Sequence, residues 1–499
     1  MNSLDFTSEI SSSFEAFMSS NKINTLTREQ LAKWDFPSEV LPKINNANLH
    51  SLSSLLDNQK PMVIQGLFTV QNIIENQMYL AAKYDKQSKK YIINKYYEYQ
   101  NENNSFSGDD IDFNSGTSLL CDRLALEVVD VEGLNEKMKV FYPQVLSSQK
   151  AISKIIIYDY TNSHSKLNKL IKVIGPAYIK DNAIVIHAWN IIDNPLSNLP
   201  TLLFPHTVID DTNILNTMGQ IFLAVFNGDE LATEYAKLFM FSRIFVRKAS
   251  KNIGILPINF QLVSKNSSSY DKFISVVNKL SLYSVSMNLS IEFLNTNRLY
   301  PKFDVENDAL IQGKLQVCDG TFVTVNEMTM NEGKLEDIGI RNYATIKSII
   351  DFQTINYEYP YNTIEMPHDI EIAIFTEGKK SLFDSVFLVK LPVIETNPNI
   401  NNDIFQNEKA FDDAFVYINS IRTNEKFLDF KISNEICDMI NKDYLASIKG
   451  KFNADEFDLV MRLSRLRAIS MKRNEMNFED YVFCRDLETK RKERITKEK

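Results

Sequence analysis

The sequence predicts an α+β protein of several domains, with a β-rich amino-terminal region, an α/β region after it and helices at the carboxyl-terminal end. Three observations carry this. From Pro61 onward, short β-branched and aromatic runs recur between polar turns, and after Pro205 apolar residues fall at helical spacing. Then "INFQLVSKNSSSYDKFISVVNKL" joins an alternating strand to an amphipathic helix through a polar loop. At 499 residues the chain exceeds one ordinary core, and length alone predicts roughly two to four domains.

Residues 1–25 read as an N-terminal helix with Leu4, Ile10, Phe14 and Phe17 as a partial apolar stripe. Residues 26–200 form the β-rich domain, whose strands are "PMVIQGLFTV", "MYLAAKYD", "KYIINKYYEY", "RLALEVVDV", "SKIIIYDY", "KLIKVIG" and "AIVIHAWNII". Strands this short suit a small barrel or sandwich, with an oligonucleotide/oligosaccharide-binding (OB) barrel as one candidate. The acidic stretch 101–118, "NENNSFSGDDIDFNSGTS", reads as a mobile loop. In the α/β domain, residues 201–400, Leu231, Tyr235, Leu238 and Phe245 make one buried helical face of "DELATEYAKLFMFSRIFVRKAS". Ile258, Phe260 and Leu262 alternate as a strand, Ser264 to Ser269 form a loop, and Phe273, Val276, Val277 and Leu280 line a helix. Residues 401–499 are helical, with Leu459, Leu463 and Leu466 as the apolar stripe of one helix and Arg465 on its solvated side. They end in a basic tail, "DLETKRKERITKEK", read as a solvated helix end that could double as a nuclear-import signal.

Composition narrows the function. A net charge of -9 argues against a general nucleic-acid binder, because affinity for phosphates comes from Lys and Arg. Cys121, Cys318, Cys437 and Cys484 are far apart, with no C-x-x-C, which excludes a zinc ribbon. The five histidines are scattered without H-E-x-x-H spacing and read as surface or cap residues, so no metal is expected. No G-x-S-x-G elbow activates a serine. With no basic-then-apolar leader and no long apolar run, a soluble intracellular protein without a membrane partner is expected.

The strand–loop–helix from Ile258 to Leu280 has the geometry of a phosphate-binding P-loop, yet its loop "VSKNSSSY" has no glycine and no Lys-Ser/Thr pair. Further on, "GTFVTVNEMTM" is a strand ending in Asn326-Glu327. A P-loop ATPase ends that strand in Asp-Glu, where Asp orders Mg²⁺ and Glu polarises water. A neutral Asn removes the charge that holds the metal.

"ATIKSIIDFQTINYEY" resembles the helix-into-hairpin segment of minichromosome maintenance (MCM) helicase subunits. The spacing of Gln353, Tyr357, Glu358, Tyr359, Tyr361, Glu365 and Pro367 resembles a particular group, the MCM complex-binding proteins. So do "GDELATEYAKLFMFSRIFVRK" and "TEGKKS", and "ADEFDLVMRLSRLRAISMKRNEMNFEDY" looks like an MCM helical lid. The resemblance implies a degenerate AAA+/MCM-like domain with a C-terminal lid and no cofactor. Asn326 and Glu327 would hold the Walker B position and Thr376 the sensor position, while Leu382 and Asp455 would stand where helicases carry arginines. Gln353, Tyr357, Tyr359, Tyr361 and Pro367 would form the family-signature hairpin. That hairpin is aromatic but carries Glu358 and Glu365 and no cation, the wrong sign for single-stranded DNA.

What the resemblance implies is a non-enzymatic partner of MCM helicase subunits that assembles or stabilises them and unloads the complex from chromatin, in DNA replication and sister-chromatid cohesion. The nucleus, and also the cytoplasm, is the expected location. Two alternatives stay open: a divergent, weak AAA+ ATPase and a nucleic-acid-binding barrel protein.

Overall fold

The structure, a computed structural model, describes residues 6–44, 49–58, 60–85, 89–97, 118–142, 153–158, 166–180, 183–193, 195, 211–248, 251–262, 268–307, 309–378, 380–392, 402–445 and 453–497. Leu4, most of the acidic stretch (101–117) and most of the polar loop (263–267) lie outside the described residues. The fold is mixed α/β, β-rich at the amino-terminal end and helical at the other. It divides into two compact units, residues 1–131 with 137–195, and residues 132–136 with 196–499.

The first unit opens with helices α1 (Phe6–Ser20), α2 (Arg28–Lys33), α3 (Phe36–Val40) and α4 (Leu52–Asn58). Its strands are β1 (Met62–Asp85), β2 (Lys90–Ile93), β3 (Ser118–Asp130), β4 (Ser153–Ile157), β5 (Leu170–Lys180), β6 (Ala183–His187) and β7 (Asn190–Asp193), with α5 (Glu136–Phe141) between β3 and β4. "PMVIQGLFTV" and "MYLAAKYD", expected as separate strands, are one: β1 runs unbroken, and three register shifts against β3 absorb its polar middle. A bulge adds a residue and bends the strand, so β1 can pair with β5 through Met62–Thr69 and with β3 from Phe68 onward. The pairings β1–β3–β4–β6–β5–β1 therefore close a five-stranded ring, antiparallel except between β4 and β6.

Leu126, Val128, Ile155, Val173 and Ile186 belong to one apolar cluster of this unit, while Phe14, Trp34, Phe36 and Trp189 belong to another. His187, expected at the surface, is buried, with Nδ1 2.5 Å from the Tyr158 hydroxyl. Burial, then the Arg123 charge, pushes its pKa down to about 3, so it sits in the core as neutral imidazole.

The second unit begins with α6 (Asp211–Val225) and α7 (Glu230–Phe239). The expected helical face through Phe245 is shorter than read. The helix stops at Phe239, and Phe245, still buried, leads into the hairpin β8 (Val246–Lys248) and β9 (Lys251–Ile253). Then come β10 (Ile258–Leu262), α8 (Ser269–Leu280), β11 (Ser284–Asn288), α9 (Ile291–Thr296), β12 (Lys302–Asp304), β13 (Ala309–Ile311), β14 (Thr321–Asn326), α10 (Asp337–Phe352), β15 (Thr354–Glu358), β16 (Thr363–Pro367), β17 (Ile370–Glu377) and β18 (Phe387–Lys390). Five of these strands make a wholly parallel sheet in the order β11-β14-β17-β10-β18. All six residues of β14 are buried, as a parallel sheet covered on both faces requires. A second sheet has the order β13-β12-β15-β16.

Helices α11 (Glu408–Arg422), α12 (Asn434–Asp443), α13 (Ala454–Ser470) and α14 (Phe478–Lys497) complete this unit. The expected stripe of Leu459, Leu463 and Leu466 is fully buried. Arg465 does not face away from it into open solvent: its guanidinium lies 5.0 Å from the Phe430 ring centroid. The basic tail is likewise no solvated end. In α14, Glu488 is buried, accepts from the Tyr235 hydroxyl at 2.7 Å and pairs with Arg491, which donates to the Leu388 carbonyl at 2.7 Å. Asp229, the N-cap of α7, takes Arg494 from the same helix.

Candidate functional site

In open parallel sheets, sites lie beyond the carboxyl ends of the strands. Here that end gathers Asn326 of β14, Glu327 after it, Thr376 of β17 and the start of α8. β14 and β17 run in register from Thr321↔Ile370 to Asn326↔Phe375, so these residues share one end of the sheet.

Asn326, Glu327 and Thr376 each have protein partners. The Asn326 amide donates to Asn288 Oδ1 at 2.9 Å, and its carbonyl oxygen accepts the Met328 amide at 3.0 Å. Tyr270, in the first turn of α8, faces the same amide, and burial, then the Asp271 charge, pushes its hydroxyl up to about 12. Glu327 is buried, and its two oxygens accept from Ser381 Oγ at 2.8 Å and the Leu382 amide at 3.1 Å. Burial raises its pKa, while the two donors oppose the rise. Thr376 donates across to Asn259 of β10 at 3.1 Å. These bonds cross-brace the sheet end, and the Glu327 carboxylate fastens the loop after β17.

That loop shapes what the site presents. Ser381 Oγ also accepts the Phe383 amide, and the Phe383 ring stacks on Tyr343 of α10 at 5.2 Å, leaving the Leu382 side chain exposed. Asp455 is exposed in the first turn of α13. Asn326, Glu327 and the Leu382 backbone are thus brought together, while Thr376 is tied to β10. Among the described residues, no group of three or more His, Cys, Asp or Glu is placed to hold a metal.

The hairpin residues cluster at the opposite, amino end of the sheet, about 20 Å along β17 at the usual rise per residue. Gln353 caps α10 in the left-handed conformation (φ 54°), and its side chain bonds both the amide and the carbonyl of Ile370. Tyr357 is buried and accepts from Gln316 at 2.8 Å, Tyr359 stacks on Phe303 and Tyr361 is fully exposed at the tip. His368, another expected surface histidine, is buried beside Asp319 and the Leu315 carbonyl. Sequence reasoning missed Asn259, Asn288, Ser381 and Tyr270, whose roles come from partners distant in the chain. Only the polar loop "TEGKKS" around Ser381 gave a signal.

Residues 182–495 match the family described as mini-chromosome maintenance replisome factor. The chain belongs to this family. The match takes in the second unit from α6 to α14 and begins at β6 of the first. Among relatives, the chain is similar to the mini-chromosome maintenance complex-binding protein of Gallus gallus, 24% identical over 282 residues, covering 54% of this chain and 43% of that protein. The protein of that name from Homo sapiens is 24% identical over 278 residues, covering 54% and 43%. That from Arabidopsis thaliana is 23% identical over 388 residues, covering 71% and 64%. The aligned stretch thus spans less than half the length of these two vertebrate relatives. Within the matched residues lie both ends of the parallel sheet, the braced Asn326-Glu327 and the hairpin led by Gln353.

Proposed function

We propose that the chain is a non-enzymatic binding partner of MCM helicase subunits, built on an AAA+-like core that has kept its sheet and lost its hydrolytic groups. One observation carries the second half of this reading: both Glu327 oxygens are committed to Ser381 and Leu382, and the neighbouring Asn326 has no charge for Mg²⁺. The parallel sheet supports the AAA+-like assignment, since β10, in the P-loop position, lies beside β17, in the sensor position, and β17 beside β14. The five-stranded ring of the first unit supports an OB-like barrel. Family membership and the names of its relatives support MCM subunits as the partner.

The AAA+-like core docks beside true MCM subunits through the faces by which helicase subunits pair. Its roles are holding subunits for assembly and removing the complex from chromatin, in DNA replication and sister-chromatid cohesion, in the nucleus. Affinity capture from native extract, with identification of co-purifying chains, is the direct test, and MCM subunits in stoichiometric yield are expected. In parallel, steady-state ATP hydrolysis should stay at buffer background. Turnover above background that is lost in Glu327→Gln would replace this reading with a divergent ATPase.

A further inference from the structure

The second sheet of the carboxyl-terminal unit ends in an open strand. In the order β13-β12-β15-β16, β16 pairs among the described residues with β15 alone, through Thr354↔Pro367, Ile355↔Met366, Asn356↔Glu365, Tyr357↔Ile364 and Glu358↔Thr363. Two bonds fix the phase of this ladder: the Tyr359 amide donates to the Asn362 carbonyl and the His368 amide to the Gln353 carbonyl, each at 2.9 Å. Antiparallel pairs alternate between bonded and non-bonded. Ile364 and Met366 therefore bond inward to β15, while the amide and carbonyl groups of Thr363 and Glu365 and the carbonyl of Pro367 point out of the sheet.

The side chains agree with an edge held open for use. Thr363, Ile364, Glu365 and Pro367 are exposed, and Tyr361 at the hairpin tip is fully so. Pro367 lacks an N–H at an outward position, so it ends the ladder there and limits an incoming strand to the stretch before it. Charge selects the occupant. Glu365 stands at the centre of the outward set, and a second copy paired about that residue would set two carboxylates against each other, whereas a strand with Lys or Arg opposite would gain a cross-strand ion pair.

We infer that the outer edge of β16 takes up an extended segment of an MCM subunit as an added strand, with a basic residue of that segment opposite Glu365. This rests on the proposed function and adds to it the mode of recognition. Main-chain bonds to Thr363 and Glu365 supply affinity, and the Glu365 carboxylate and Ile364 side chain supply selectivity.

The test uses the full chain and purified MCM subunits, with amide hydrogen exchange read along residues 354–368. The Thr363 and Glu365 amides should exchange freely in the chain alone and become protected in the complex. Glu365→Pro removes one outward donor and keeps the main-chain ladder to β15, Glu365→Lys reverses the charge while keeping the donor, and both lose the exposed 2.5 Å bond that the Glu365 carboxylate accepts from Thr354 Oγ1. Both should leave the melting temperature near that of the parent and weaken capture about tenfold, the equivalent of one lost bond. If MCM subunits bind with those amides still in free exchange, or if both variants bind like the parent, the inference fails and the proposed function stands. A parent chain that holds no MCM subunit overturns both. Protection that instead grows with protein concentration alone identifies a second copy as the occupant, and protection by single-stranded DNA identifies nucleic acid. Either result overturns the inference.

Discussion

The Arg494 guanidinium closes on the Asp229 carboxylate through paired hydrogen bonds, Nη1 to Oδ2 at 2.5 Å and Nη2 to Oδ1 at 3.0 Å, and also donates to the Lys390 carbonyl at 3.0 Å. The same carboxylate caps α7 by accepting the amides of Leu231 and Ala232. One ion pair thus joins α14, the start of α7 and the edge of the parallel sheet.

Arg494→Ala leaves the buried Asp229 carboxylate without its counter-charge and should destabilise the chain by about 3 kcal/mol. Asp229→Asn keeps an acceptor for the cap and leaves the partly exposed arginine in reach of water, so it should cost less, about 1 kcal/mol. Denaturant melts of the two variants give the ordering, and an equal or reversed order would mean that the uncompensated Asp229 charge is not what makes loss of Arg494 costly.

A second expectation concerns pH. Glu371 is fully buried, and although Arg422 and the Ser242 hydroxyl favour its charged form, burial wins and raises its pKa. The folded state then binds a proton more tightly than the unfolded one. Its contribution to stability is therefore complete below the ordinary glutamate value and declines as pH rises through the raised one. Glu371→Gln cannot ionise and should show a flatter stability profile from about pH 4.5 upward, where the unfolded carboxyl begins to lose its proton. Melts across that window decide it, and parallel profiles would sink the assignment.

On α13, Leu463→Asp buries an unpaired charge and should destabilise the packing of this helix by several kcal/mol, about 3 or more. Arg465→Glu is not silent, because the Arg465 guanidinium packs over Phe430. It should cost about 1 kcal/mol, and Arg465→Lys less than that. Thermal melts of the three variants test the order.

For nucleic acid, the net charge of -9 and the acidic hairpin lead to an expectation of no binding tighter than about 10⁻⁴ M at physiological salt. Fluorescence anisotropy with single- and double-stranded DNA reads this directly. Submicromolar binding that weakens steeply with salt would favour the barrel as a nucleic-acid reader.

Local pattern made much of this legible. The β-branched run Thr321–Asn326 is a buried strand, and Phe273, Val276, Val277 and Leu280 are the buried face of α8, because each signal fits within a dozen residues. The continuity of β1 was hidden, since its polar middle reads as a turn and only pairing with β3 makes bulges of it. The length of α7 was misread because Phe245 continues the apolar spacing after the backbone has left the helix. The tail looked solvated because its charges outnumber its apolar residues, while the partners of Arg491 and Arg494 lie in β18 and before α7. At the candidate site, Asn326 and Glu327 were visible as a polar pair. What each is bonded to was not, because Asn288 and Ser381 are brought in by other elements.

The bulged strand β1 has a consequence for how the first unit reaches its fold. Its two halves find different partners, Met62 pairing with Ala177 and Lys83 with Ser118, so the ring has no hairpin-sized kernel that contains all its joints. Closing it means fixing a long loop before the reward of the last ladder arrives. Barrels of such high contact order fold over about milliseconds to seconds. Throughout that interval the β5-facing edge of β1 is an unsaturated template for other chains, which makes crowding during refolding, rather than the equilibrium stability of the closed ring, the step at which this unit is most easily lost.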